Sequence, residues 1–153
     1  MPTHYKGTVK ERRALNAWIK FMRAGITLDS QLTNSLRRFE LTESQFAVIE
    51  ALYHLGPMNL TEISAKLLCT GGNLTTVVDN LEKQDLVKRV SGKTDRRQYE
   101  IHLTPKGKSH IKKLFPDHVK AIVREMSVLS PSEQDELSRL CKKLGLEIIK
   151  QNK

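Results

Sequence analysis

Little in this sequence is aromatic, sulfur-bearing or continuously apolar. Phe, Trp and Tyr make up 5% of its 153 residues, and there are two cysteines. Cys69 and Cys141 lie far apart and match no CxxC spacing, so neither a disulfide framework nor a redox pair is indicated. No apolar run approaches the roughly 20 residues that span a bilayer. The start, MPTHYKGTVKERR, has no apolar stretch of the signal-peptide kind, so the chain is expected in the cytoplasm with its thiols reduced. Also missing are GxSxG, a P-loop, GxGxxG and HExxH. Thr70-Gly71-Gly72 cannot cradle a nucleotide without a trailing Gly-Lys-Ser/Thr. His110 and His118 stand eight residues apart, about 12 Å along a straight helix at the usual rise, too far to share one ion. His4, His54 and His102 have no ligand spacing either. The sequence gives no reason to expect an enzyme, a metal or a cofactor.

What the sequence has is positive charge. The formal net charge is +9. Divided at residues 58 and 108, the chain carries the same excess in each part, so bulk charge locates nothing. A narrower window does. Residues 88–108 hold seven cations (Lys88, Arg89, Lys93, Arg96, Arg97, Lys106 and Lys108) against Asp95 and Glu100. A basic excess on one narrow feature favours a polyanion, although a solubilising surface would look similar.

Apolar periodicity and capping signals order the chain. Leu15, Trp18, Ile19, Met22, Ile26, Leu32, Leu36 and Phe39 recur at three- and four-residue steps, which predicts one long helix from Val9 to Phe39, bent near Gly25. Thr42 with Gln45 is a capping box that opens a helix ending at Gly56-Pro57. Asn59 with Glu62 repeats the signal and opens a short helix. CTGGN breaks the chain at 69–73, and a fourth helix follows to about Gln84. Residues 86–103 read as a hairpin. Thr104-Pro105 caps a helix running to about Val128, disturbed at Pro116. Ser130-Pro131-Ser132-Glu133 caps the last one. The fold class is mainly α with a small β-hairpin wing.

A short helix, a glycine-bearing turn and a second helix form a helix-turn-helix signal. A hairpin straight after it has the place of a wing. On the helix from 72 to 84, Leu74, Val77, Val78 and Leu81 share one stripe, the expected buried face. The opposite face holds Gly72, Thr76, Asp79 and Lys83, flanked by Asn73, Thr75 and Asn80. Asn can meet adenine edges, and Thr can donate, accept or touch a thymine methyl. Gly72 lets backbone approach phosphate at the positive end of the helix. On an isolated helix such residues would merely solvate a surface; the neighbouring elements favour reading. Asp79 on that face would repel phosphate and needs a cation. A wing arginine can supply it while another enters a narrow minor groove.

In GGNLTTVVDNLEKQDLVKRV, DRRQYEIHLTPKGK and LSPSEQDELSRLCKKLG, standing in that order and spacing, the chain resembles the MarR family of bacterial winged-helix transcription regulators. Asp95-Arg96-Arg97 and Leu103-Thr104 with Gly107 are the most specific matches. Asp85 departs from the family's usual glycine, but Asp tolerates the left-handed conformation. The resemblance implies a homodimer on a pseudo-palindromic double-stranded DNA site. Residues 1–40 and 109–153 would form a helical dimerisation region, and 41–108 the winged helix-turn-helix DNA-binding domain. Long apolar stripes at 15–39, 111–126 and 137–148 favour a dimer independently.

By matching position the resemblance implies an Asp79–Arg97 ion pair, with Arg96 and Lys93 on DNA. Repression is the family's default, and members are commonly released from DNA by small anionic or phenolic compounds. Trp18, Phe21, Met22, Phe46, Ile49, Tyr53, Ile111 and Phe115 could line such a pocket, or could simply be core. Two alternatives are a redox-responsive regulator using Cys69 and an architectural DNA-binding protein without strong sequence preference. The latter has less use for an uncharged Asn/Thr face.

Overall fold

The computed structural model describes residues 4–67, 71–91 and 99–151. Helix α1 (Val9–Arg37) starts where Thr8 and Glu11 form a reciprocal capping box. It runs unbroken through Gly25, where an added Cβ would meet nothing within 4 Å. Glu40, at φ 56°, turns the chain after it. Helix α2 (Glu43–Leu55) opens on the predicted Thr42/Gln45 box and stops at Gly56, which has φ 87°. The Asn59/Glu62 pair also forms reciprocally, at 2.8 and 2.9 Å, and opens α3 (Leu60–Leu67). Helix α4 is Gly71–Lys83, and β2 (Val87–Ser91) pairs antiparallel with β3 (Tyr99–Leu103).

The sheet has one strand more than the sequence led us to expect. Met58–Asn59 forms β1, paired with β3 at Ile101 and Glu100, giving the order β1-β3-β2. Two residues are too few to show a period-2 pattern, and Asn59 already reads as a helix cap.

Helix α5 spans Pro105–Met126 and contains Pro116; α6 spans Pro131–Gln151. Ser130 and Glu133 form the predicted capping pair at its start. The chain divides into two compact units, Met1–His118 and Val119–Lys153. The first holds α1 and the start of α5 together with the helix-turn-helix and sheet. Its core joins Leu36 of α1, Phe46, Val48, Ile49 and Leu52 of α2, Ile63 of α3, Leu74, Val77, Val78 and Leu81 of α4, Val87 and Ile101 of the sheet, and Ile111 and Leu114 of α5. In the second unit, Gln134 donates to the carbonyls of Met126 and Leu129, closing the turn between α5 and α6.

The Thr104–Gly107 junction has a direct physical cause. Thr104 Oγ1 accepts from the Gly107 N–H at 2.9 Å and donates to the Asp85 carbonyl at 2.7 Å. A Cβ on Gly107 would stand 2.0 Å from the Leu86 carbonyl oxygen. Only glycine lets the first turn of α5 lie this close to the backbone leading into β2. Asp85 takes φ 56°, so the left-handed turn survives the departure from glycine as expected.

Candidate nucleic-acid interface

Helix α4 is anchored by its apolar stripe. Leu74, Val77, Val78 and Leu81 are all buried, as the helical spacing predicts. Thr75, Thr76, Asn80 and Lys83 are exposed and Asp79 is half-buried. Burying one stripe fixes the rotation of the helix, and this rotation puts the hydroxyl and amide groups outward. Gly72 and Asn73 lie in the first turn of α4.

The described cation at Asp79 comes from the base of the hairpin. Arg89 of β2 places Nη2 2.5 Å from Asp79 Oδ1. Its Nη1 also pairs with Glu82 Oε2, and its backbone N–H donates to Glu82 Oε1 at 3.1 Å. One guanidinium thus ties β2 to two successive turns of α4. The bond to Asp79 chiefly, with the nearby charges of Glu82 and Asp79, raises the Arg89 pKa further against a smaller desolvation. Sequence reasoning counted Arg89 only as part of the basic window. The signal that could have found it is the Asp79–Glu82 spacing, which puts two carboxylates on one helix face with a β-strand cation seven residues on.

Lys93, Arg96 and Arg97 at the hairpin tip lie outside the described residues, and so does the expected pair of Asp79 with Arg97. Cys69 lies outside them too. Cys141, whose place on the apolar stripe of the last helix reads as packing, is exposed on α6 in the single chain.

The eight residues considered for a ligand pocket divide between core and surface. Phe46, Ile49 and Ile111 are core, and Phe115 packs against that core. Trp18 is 57% exposed, and Phe21, Met22 and Tyr53 are also exposed. What α2 and α5 do share is a seam of histidine–aromatic contacts. His118 tilts against Phe46 with ring centroids 4.5 Å apart. His54 meets Phe115 edge-on at 5.0 Å and Tyr53 at 5.1 Å. His110 contacts the Phe39 ring and has Nε2 3.2 Å from the Phe39 carbonyl oxygen. Burial pushes the His118 pKa down, partly offset by the Glu50 charge. Beside it, Asp117 pairs with Arg38, the residue that caps the end of α1, at 2.5 Å.

Among the described residues no group of three or more His, Cys, Asp or Glu side chains could hold a metal ion. No described helix is long and apolar enough to cross a membrane.

Residues 41–99, which contain α2 through the start of β3, match the family model described as MarR family. The chain is 37% identical over 134 residues to the HTH-type transcriptional regulator YkoM of Bacillus subtilis (strain 168), covering 88% of this chain and 87% of that protein. Its fold is similar to that of Sco3205, a MarR family transcriptional regulator from Streptomyces coelicolor solved in complex with DNA. There the TM-score is 0.81 at 21% identity, over 92% of this chain and 90% of the other. It is also similar to Bordetella bronchiseptica BpsR, whose DNA binding is regulated by 6-hydroxynicotinic acid. That match has a TM-score of 0.79 at 21% identity, over 85% of this chain and 98% of the other.

Proposed function

This chain belongs to the MarR family of DNA-binding transcriptional regulators, and from that premise we propose that it acts in the cytoplasm as a homodimeric repressor of a pseudo-palindromic operator, released by a small aromatic or phenolic ligand. The observation that carries the reading is the two-sided character of α4. Its buried stripe leaves Thr75, Thr76 and Asn80 outward, with Gly72 and Asn73 in its first turn. Uncharged donors and acceptors on such a face suit base edges in the major groove. Lys93, Arg96 and Arg97 then serve the phosphates and the minor groove. The Arg89 bridge fixes the base of the hairpin to the same helix, so both parts of the interface meet DNA as one body.

Dimerisation is supported by apolar side chains exposed in the single chain. On α1 these are Val9, Trp18, Phe21 and Ile26; on α6, Leu137, Leu140 and Leu144 recur at helical spacing. Exposed apolar area of this extent calls for a partner. In our reading residues 1–40 and 109–153 form the dimerisation region and 41–108 the DNA-binding domain. A two-fold dimer reads half-sites about one helical turn apart. For the ligand, Trp18, Phe21, Met22 and Tyr53 are the exposed members of the set considered above. The regulation of BpsR by 6-hydroxynicotinic acid supports an aromatic acid or phenol as the first class to try.

The test is a fluorescence-anisotropy titration against DNA from upstream of the protein's own gene and against a scrambled duplex, at several salt concentrations. Upstream DNA is expected to bind about 10³-fold more tightly or better, and phenolic acids to weaken that complex. Equal affinity for both duplexes and for other promoter fragments, with only a steep salt slope, would instead identify an architectural DNA-binding protein.

A further inference from the structure

Glu11, Glu43, Glu62 and Glu133 stand in the first turns of α1, α2, α3 and α6, whereas α4 and α5 have no acid there. For α4 the face proposed to read DNA accounts for this. Helix α5 goes further. Lys106, Lys108, Lys112 and Lys113 fall in its first half, and no acid lies between Pro105 and Pro116. Cations near a helix start oppose the macrodipole, and Lys108 and Lys112, four apart, repel each other. A merely solubilising face has no need of this cost, because carboxylates at helical spacing can offset the cations. On α6 they do: Arg139 pairs with Glu136 and Lys150 with Glu147. Among the described residues none of the four α5 lysines has a carboxylate partner.

All four lysines are exposed, because Gly107, Ile111 and Leu114 turn the opposite side of α5 inward. From Lys106 to Lys113 is about 10 Å at the helical rise, about one Debye length at 0.1 M salt, so the four act as one patch. That patch continues the outward face of α4. Thr76 and Lys83, seven residues apart and both exposed, share a column on that helix. Lys106 Nζ donates to the carbonyl of Gln84, one residue past Lys83, at 2.7 Å. Lys113 stands about two turns further along α5 in the same column as Lys106. Asp117, the first acid on α5, is already paired with Arg38.

We propose that the outer face of α5, with Lys106, Lys108, Lys112 and Lys113, is a second DNA-contacting surface that holds the phosphate backbone of duplex flanking the half-site. It reads no sequence; phosphate contacts attract and position. DNA is favoured over an acidic protein because the patch is continuous, through Lys83 and Gln84, with the face of α4 proposed to read bases. Duplex leaving that face and bent toward the protein meets these lysines next, and such contacts repay bending. The inference rests on DNA binding by α4 and not on the operator, the repression or the ligand proposed above.

The full chain is titrated by anisotropy, at several salt concentrations, with a duplex of about 20 bp and one of about 60 bp, which adds about two helical turns on each side. Both are made with the upstream sequence and with scrambled sequence. The wild-type chain should prefer the longer upstream duplex by about tenfold near 50 mM salt, with a salt slope steeper by about two. Lys108→Gln with Lys112→Gln and Lys113→Gln should remove that preference and leave the short duplex bound as before. Comparing the two proteins on the same duplexes cancels the extra sites that a longer duplex offers. The variant should melt no lower than wild type, since Gln keeps the helix and ends the repulsion. Lys10→Gln with Lys142→Gln and Lys143→Gln removes the same charge elsewhere and should keep the preference; an equal loss there would overturn the proposal. So would no length preference in the wild type, or the same preference in the α5 variant. If poly-glutamate then binds the wild type but not that variant, the face belongs to an acidic protein instead. Equal binding of upstream and scrambled DNA counts against the operator alone, because the length preference is read on either sequence.

Discussion

Arg89 Nη2 lies 2.5 Å from Asp79 Oδ1, joining the second strand to the outward face of α4. A carboxylate on the face proposed to read DNA would be unfavourable unless neutralised, and Arg89 pairs with it from within the fold. Because the Arg89 side chain is only 25% exposed, the pair is shielded from water more than a surface ion pair. Removing either partner leaves the other partly desolvated. We expect a double-mutant cycle of Asp79→Ala and Arg89→Ala in urea to return a coupling energy of about 1 kcal/mol. Additive single effects would show that the two groups do not support each other.

The same geometry separates base reading from backbone attraction. Asn80→Ala should reduce discrimination between operator and scrambled DNA by about tenfold, the lower end for one base contact. Lys83→Ala should weaken both duplexes alike and lower the salt slope by about one. Anisotropy titrations at several salt concentrations check both, and a sequence-independent loss in Asn80→Ala would remove it from the reading face.

Gly107→Ala tests the Thr104–Gly107 junction. In an open helix alanine would gain about 1 kcal/mol over glycine. Here its Cβ would meet the Leu86 carbonyl oxygen at 2.0 Å, and backbone cannot move aside as a side chain can. The net expectation is a loss of about 3 kcal/mol from overpacking. Calorimetry should show a Tm lower by roughly 10 °C.

His118 makes stability depend on pH. Burial holds its pKa below the ordinary histidine value, with Glu50 opposing. The unfolded chain therefore takes up its proton first as pH falls through about 6.5. The stability present above that value is lost as pH drops toward the folded pKa. Urea midpoints measured at about pH 7.5 and 5.5, on either side of the ordinary histidine value, should show this fall. His118→Gln should flatten it, and an unchanged profile in that variant would assign the effect elsewhere.

The sequence by itself determined the order of the helices and the hairpin, the capping signals at Thr42, Asn59 and Ser130, and the buried stripe of α4. These are local: a Thr or Asn with Gln or Glu three residues on satisfies its own helix start, and helical spacing fixes which side chains share a face. The resemblance to a family with glycine at this place implied the left-handed turn at Asp85, a conformation Asp tolerates. Tertiary structure alone decided the partners. Arg89 reaches Asp79 and Glu82 because β2 lies beside α4, a proximity no periodicity encodes. β1 exists because β3 offers it an edge, not because Met58-Asn59 prefers to be a strand. Phe46, Ile49 and Ile111 carry the same apolar signal as Trp18 and Phe21, yet the first three are core and the last two lie on the surface. Amphipathic spacing says that a face is covered; only packing says by what.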